Sequence, residues 1–339
     1  MSKKKQSQGK PGKDLQGGKA PSEGRREPGS SGEELQEEPR NEFRSGFVAL
    51  AGRPNAGKST LLNAVMGDKF AITSNVPQTT RHRLRAIYDS DDMQMVLVDT
   101  PGIHKPHDAL GEELNYSAIQ GITDVEVVSF LMDASKPFGK GDAFVLKQIE
   151  QAEDAAKVLV VNKADLVTQH EAELQVQRAS RNMEFDEVVV CSALKKFNVD
   201  GFIQAAYNLL PEGPRWFPEG METDQPIEVI VAEFIREKIL RSAYDEVPHA
   251  VGVMVDDMQY SEREDLYRIY ATIYVERDSQ KGIIIGSGGE NIKRIGIEAR
   301  EDLEHFLGSR CFLDLKVKVK RNWRKDATQI RRFGYGEGL

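Results

Sequence analysis

Cysteine is nearly absent: Cys191 and Cys311 are the only two in 339 residues. They fall in different candidate domains and form no metal-like cluster. That excludes a disulfide scaffold or thiolate metal centre, and reduced thiols in a cytoplasmic protein are the expected state. Long apolar runs are missing too. None approaches the ~20 residues needed to span a bilayer, and the N-terminus has no apolar core for a secretory signal, so a soluble chain is expected. Peripheral contact with a membrane surface stays open. Apolar side chains are scarcest over residues 1–45, which hold five among many Lys, Gly, Ser, Glu and Pro. Such a segment cannot bury enough surface to offset its ordering entropy, so a disordered tail is expected there. Its Lys3-Lys4-Lys5 run could touch RNA or anionic lipid.

No one sign of charge dominates: the net charge is −8. Its distribution is uneven. Residues 1–45 carry +2, residues 46–225 carry −9 and residues 226–339 carry −1, yet residues 281–332 hold 13 basic against 7 acidic side chains. A locally basic stretch on an acidic chain points to an anionic partner at that end. Length suggests two folded units.

What the sequence does have is one compact signature. The apolar run Phe47–Ala51 leads into Gly52-Arg53-Pro54-Asn55-Ala56-Gly57-Lys58-Ser59, and an amphipathic segment, Thr60–Val65, follows. This fits G-x-x-x-x-G-K-[ST] in the strand–loop–helix setting that the motif requires. A loop wrapped around phosphate must point backbone N–H groups inward, and Gly52 and Gly57 permit the necessary approach. The helix start adds free N–H groups and its positive end. Lys58 then supplies a cation for the β- and γ-phosphates, and Ser59 a hydroxyl for Mg²⁺.

Further short Val-rich runs, Met95–Val98, Val127–Met132, Val158–Val161 and Val188–Cys191, alternate with helical patterns up to about Leu210. Strands buried on both faces of a parallel sheet read this way, and Arg83–Tyr88 fits an added edge strand. The expected fold is α/β: a mostly parallel, doubly wound sheet with its ligand beyond the carboxyl ends of the strands. The polar clusters fall there: Asp99-Thr100-Pro101-Gly102, Asn162-Lys163-Ala164-Asp165 and Ser192-Ala193.

Each cluster has a chemical use. Asp99 can hold Mg²⁺ through a water. Gly102 can turn its N–H toward a γ-phosphate, making a hinge. Asp165 can accept from N1–H and the 2-amino group of guanine, which adenine lacks. Asn162 is expected at the other edge of the base, Lys163 along its face, and the Ala193 N–H at O6. The ligand is therefore read as GTP or GDP with Mg²⁺. Between the first helix and Arg83 lies a polar loop with two threonines, and Thr80 rather than Thr79 is expected to complete the metal shell. His104 and His107, after the hinge, read as surface loop residues.

The remainder reads as a second domain. Pro211-Glu-Gly-Pro214 marks a break; Pro226–Leu240 is an apolar-periodic helix; Val251–Val255 and Arg268–Glu276 are strand candidates. Gly282–Gly296, a helix to about Leu307 and a strand at Phe312–Val319 complete it. Within it, Gly286-Ser287-Gly288-Gly289 makes a G-x-x-G turn that lets an RNA backbone come close. Ile292 begins an adjoining apolar groove, and Lys281, Lys293 and Arg294 add salt-sensitive attraction. The expected divisions are a tail at 1–45, a nucleotide domain at 46–215, a linker at 216–225 and an RNA-binding domain with a C-terminal tail at 226–339.

Taken together, these elements resemble the translation-factor-related class of small GTPases, and Gly52–Ser59 with Pro77-Gln-Thr-Thr-Arg-His82 resembles the Era family in particular. The second domain is similar to a bacterial-type (type II) KH domain. The resemblance covers roughly residues 45–339. It implies a P-loop GTPase followed by an α+β KH domain, with slow intrinsic turnover. It also implies binding to the 3′ end of small-subunit (16S) rRNA, a role in 30S subunit biogenesis, and a monomer in the cytoplasm or at the inner face of the cell membrane. Ras-like enzymes have Gln after D-x-x-G; here that place is Ile103, which leaves the water-orienting group unnamed. The Gly102 hinge, Lys58 and Thr80 remain the catalytic candidates. Asn55 matches the position at which related potassium-dependent GTPases help hold K⁺, which adds K⁺ as a second cation. An RNA-binding scaffold with incidental turnover and a membrane-associated signalling GTPase are alternative readings.

Overall fold

Runs of β-branched residues flanked by turn-formers become the strands of a six-stranded sheet. The computed structural model describes residues 43–335, except 75, 77, 107 and 243–246. Its first sheet contains β1 (Arg44–Gly52), β2 (Leu84–Asp89), β3 (Met93–Asp99), β4 (Val127–Asp133), β5 (Ala156–Asn162) and β6 (Glu187–Val190), in the order β2-β3-β1-β4-β5-β6. Only β2 runs antiparallel, paired with β3 at the edge. All seven residues of β3 and of β4 are buried, the mark of strands covered on both faces. Helices α1 (Lys58–Met66), α2 (Ala109–Gln120), α3 (Lys140–Ile149), α4 (Gln169–Ser180) and α5 (Val199–Leu209) provide that cover. The order reverses at β1, between β3 and β4, so the loop after β1 opens at the switch point where ligands bind in such sheets.

Two domain edges differ from the sequence expectation. The first strand begins at Arg44, whose guanidinium donates to the carbonyls of Asn208 (3.3 Å) and Leu210 (2.7 Å). Most of the tail at 1–45 lies outside the described residues, as does His107. The segment read as a linker is a strap along the β2–β3 edge. Gln94 bonds the backbone of Trp216 and Phe217, the Ile87 N–H donates to Glu222 O, and Arg85 pairs with Asp224 at 2.7 Å. Edge strands carry unpaired backbone groups, and the strap satisfies some of them.

The second domain begins with α6 (Ile227–Ser242) and the short α7 (Val247–Ala250), then β7 (Gly252–Ser261) and β8 (Leu266–Val275). Next come α8 (Asp278–Ile285), α9 (Glu290–Leu307) and β9 (Arg310–Val319). The sheet order is β7-β8-β9, with β8 and β9 parallel. Ile230, Phe234 and Ile235 of α6 share one apolar core with Ile295, Ala299 and Leu303 of α9 and with the sheet.

The C-terminal stretch is no loose tail over its described part. A 3₁₀ turn at Trp323–Lys325 and α10 (Ala327–Arg332) place Trp323, Ile330, Phe333 and Tyr335 against Leu110 and Leu114 of α2. The fully buried Trp323 donates its indole N–H to Ala250 O at 2.9 Å. A second seam lies beyond α1, where Phe306 of α9 packs edge-on to Phe70 and Phe234. Lys69 there pairs with both Glu237 and Asp302.

Candidate nucleotide site and nucleic-acid groove

The loop after β1 closes on itself through its own backbone. Asn55 and Gly57 take left-handed angles (φ 64° and 99°), and the Ala56 N–H donates to Arg53 O at 3.2 Å. Gly57 ends as the cap of α1 with no side-chain partner for the first helical amides, which leaves them for an anion. A Cβ at Gly57 would lie 2.2 Å from Asn162 Nδ2, and one at Gly102 would lie 2.7 Å from the Pro54 backbone. Glycine is required at both places because neighbouring loops press against the backbone. Lys58 is buried, with Nζ 3.4 Å from Gly52 O and 3.3 Å from Arg53 O. Burial lowers its pKa and the nearby Asp99 charge opposes that shift.

Three oxygen-bearing side chains from separate segments converge beside Lys58. Ser59 Oγ donates to Asp99 Oδ2 at 2.6 Å, Thr80 Oγ1 lies 2.9 Å from Ser59 Oγ, and it donates to Asp99 Oδ2 at 3.2 Å. The hydroxyl of Thr79 turns away to Ser74 and Val76 O, so Thr80 is the threonine at this cluster. Asp99 is fully buried, and its Oδ1 has no hydrogen-bond partner among the described residues. Burial raises its pKa, against the opposing effects of Lys58, Ser59 and Thr80. A carboxylate oxygen left bare in a dry site, flanked by two hydroxyls, suits a hard divalent cation such as Mg²⁺.

The loops expected to hold the base are also tied to one another and to the phosphate loop. Asn162, expected at the edge of the base, is buried, with its Oδ1 and one amide N–H bonded to protein groups. It donates to Ala56 O (3.0 Å) and accepts from the N–H groups of Lys163 (2.8 Å) and Ala193 (3.0 Å). Its work is to stitch the phosphate loop to the two base loops, and the Ala193 N–H is engaged in the same stitch. Lys163, in a left-handed conformation, reaches Asn55 O (2.8 Å) and Asp133 (2.7 Å). Asp165 is exposed, and Ser192 Oγ donates to its Oδ1 at 2.5 Å, which orients the carboxylate. Asn162, Lys163 and Asp165 line one cavity of about 580 Å³ with Gly57, Thr60 and Leu194.

Ile103 is buried in the core, with its N–H bonded to Gly52 O at 3.1 Å, and cannot meet a water at the phosphate. Thr100 bonds Leu50 O (2.8 Å), which fixes the start of the hinge. His104, expected at the surface, is half-buried and bridges the two loops: Nδ1 is 2.8 Å from Gly102 O and Nε2 is 2.7 Å from Gln78 Nε2. The carbonyl fixes the proton on Nδ1, so the Gln78 amide donates to Nε2.

In the second domain, Gly286, Gly288 and Gly289 all have positive φ (73°, 58° and 81°). Gly289 caps α9 without a side-chain partner. Beside the turn runs a groove of about 530 Å³ whose lining includes Ile292, Lys293, Ile297, Arg300 and Phe312. Lys281 and Arg294 flank the turn outside that lining, with Arg294 held to Asn291 Oδ1 at 2.8 Å. Arg300 and the half-exposed Phe312 escaped sequence reasoning because β9 meets α9 only in the folded domain.

Comparison with known proteins agrees with both halves. The family model described as "50S ribosome-binding GTPase" matches residues 47–163, and the KH domain model matches residues 246–324. Two solved structures are similar along most of the chain. They are a single-residue variant of Aquifex aeolicus Era bound to GDP·AlF4⁻ and Era in complex with MgGDPNP and nucleotides 1506–1542 of 16S ribosomal RNA. Each is 34% identical with a TM-score of 0.84, and the match covers 87% of this chain and all of the other. A glycine loop, a serine–threonine–aspartate cluster, an oriented Asp165 and a glycine turn beside an apolar groove thus occur in one chain with this likeness. The chain belongs to the Era family of GTPases.

Proposed function

We propose that this protein is a GTP-hydrolysing switch that binds the 3′ end of small-subunit rRNA and assists 30S subunit assembly, acting as a cytoplasmic monomer. The carrying observation is the joining, in one compact unit, of a guanine-nucleotide pocket and a glycine turn with a basic, apolar groove. Support for the RNA comes from the Era relative whose structure holds 16S rRNA nucleotides. The broader family description names the large subunit, but the 16S rRNA nucleotides held by the Era relative favour the small-subunit reading.

The residues divide the work. Lys58 and the first amides of α1 receive phosphate charge, and Asp165 selects guanine. Ser59, Thr80 and Asp99 would hold Mg²⁺, which when bound supplies charge neutralisation at the β- and γ-phosphates. Asn55, at φ 64° in the phosphate loop, is the residue we assign to a K⁺ ion in the arginine-finger role. Single-turnover hydrolysis should be faster in K⁺ than in Na⁺, and Asn55→Ala should erase the difference; equal rates in the two salts would remove the potassium reading. The main proposal is tested by crosslinking the GTP- and GDP-loaded chain to total RNA and sequencing the product. Enrichment of small-subunit rRNA 3′ ends with GTP is expected, and nucleotide-independent capture of bulk RNA would refute it.

A further inference from the structure

The metal-site threonine is held from behind by the other domain. Arg236, on α6, is fully buried, and its Nη2 donates to the carbonyl of Thr79, the residue before Thr80. The same guanidinium is clamped by Glu233, one turn earlier, through Nε (2.9 Å) and Nη2 (2.6 Å). Glu233 also meets His82 Nδ1 at 3.1 Å, on the other side of Thr80. One residue beyond Arg236, Glu237 accepts the Thr73 N–H at 2.9 Å. Positions 233, 236 and 237 lie on one helical face, so a single stripe of α6 grips the loop at Thr73, Thr79 and His82.

The electrostatics make this a rigid mount. Glu233 stays ionised despite its burial because Arg236 and His82 hold its pKa far below the carboxylate range. A fork of donors shared between a carboxylate and a backbone carbonyl fixes direction as well as distance. Behind Thr80, a mostly apolar cavity of about 20 Å³, which Thr80, His82, Asp99 and Glu233 also line, separates the metal carboxylate from the α6 carboxylate.

We propose that Arg236 is a positioning residue for magnesium–triphosphate binding: by holding the Thr79 carbonyl it keeps the Thr80 hydroxyl at the metal cluster. The RNA-binding domain thereby builds part of the nucleotide site. This rests on the GTPase reading above and adds the residue that sets the triphosphate state. Reciprocity follows: what fixes α6 against the loop favours triphosphate, and triphosphate favours that docking.

The test is binding of a non-hydrolysable GTP analogue and of GDP to the full chain, with Mg²⁺ and with EDTA. Arg236→Met should weaken the analogue in Mg²⁺ by about ten- to a hundredfold, the range for one charge-assisted hydrogen bond, and leave GDP in EDTA unchanged. Arg236→Lys, which keeps a cationic donor but not the planar fork, should recover part of the loss. Because Arg236→Met strands a buried carboxylate, Glu233→Gln/Arg236→Met removes both charges and should show the same split with a near-native melting curve. Equal losses for both nucleotides, or an unchanged analogue affinity in the folded double variant, would overturn the proposal. A wild-type chain that bound neither guanine nucleotide would bring down the GTPase reading itself.

Discussion

Two glycine turns in this chain do the same local thing and end with different abilities. Gly57 caps α1 and Gly289 caps α9, both left-handed and both without a side-chain partner for the helical amides behind them. Each therefore offers bare N–H groups and a positive helix end to a phosphate. Around Gly57 the molecule is closed, and a Cβ would strike Asn162 at 2.2 Å. Around Gly288 and Gly289 it is open, with nothing within 4 Å of where a Cβ would stand on either. A phosphate cradle becomes selective when other loops close over it, and otherwise stays a clamp for any backbone that passes.

Breaking the closed turn should have the largest effect. Gly57→Ala combines left-handed strain of ~1–3 kcal/mol with overpacking of ~1–3 kcal/mol, and GDP affinity by calorimetry should fall on the order of 10³-fold. Asp165→Ala removes two charge-assisted bonds to the base, so the preference for GTP over ATP in competition should shrink by roughly 10²- to 10³-fold. At the open turn, Gly288→Asp meets no neighbour and carries only the left-handed strain of about 1–2 kcal/mol, so the melting temperature should fall slightly. Its charge beside RNA phosphates should still cut RNA affinity on the order of a hundredfold. Lys293→Ala should weaken RNA only a few-fold and flatten the salt dependence by about 0.7 in log–log slope.

The last and smallest effect again separates the two sites. Burial raises the Asp99 pKa above the ordinary carboxylate range, so its proton competes with a metal at higher pH than a free carboxylate's would. Mg²⁺-dependent binding of a GTP analogue should strengthen as pH rises through that titration and level off above it. GDP binding in EDTA should stay flat. An opposite slope would show that Asp99 does not titrate with the metal.

Much of the nucleotide site was legible because its parts are short, contiguous and tied to strand ends: Gly52–Ser59, Asp99–Gly102, Asn162–Asp165. Thr80 could be chosen over its neighbour, and the structure places it at Ser59 and Asp99. The stitching role of Asn162 was not legible, since only packing shows that its amide also bonds the backbone of Ala56 and Ala193. His104 read as a loop residue because its partner Gln78 is 26 residues away. Arg236 was invisible for the same reason on a larger scale. A charged residue in an apolar-periodic helix looks like a solvated position until a loop 157 residues distant is laid against it.

By itself, the sequence determined the elements, their order, the phosphate loop and the glycine turn, because each depends on backbone angles and on side chains a few residues apart. Only the tertiary structure decided that the supposed linker straps a sheet edge, that the C-terminal residues through Tyr335 wedge against α2, and that α6 mounts the metal-site loop. Those contacts depend on which buried charge and which aromatic ring meet across hundreds of residues, and no local pattern encodes that meeting.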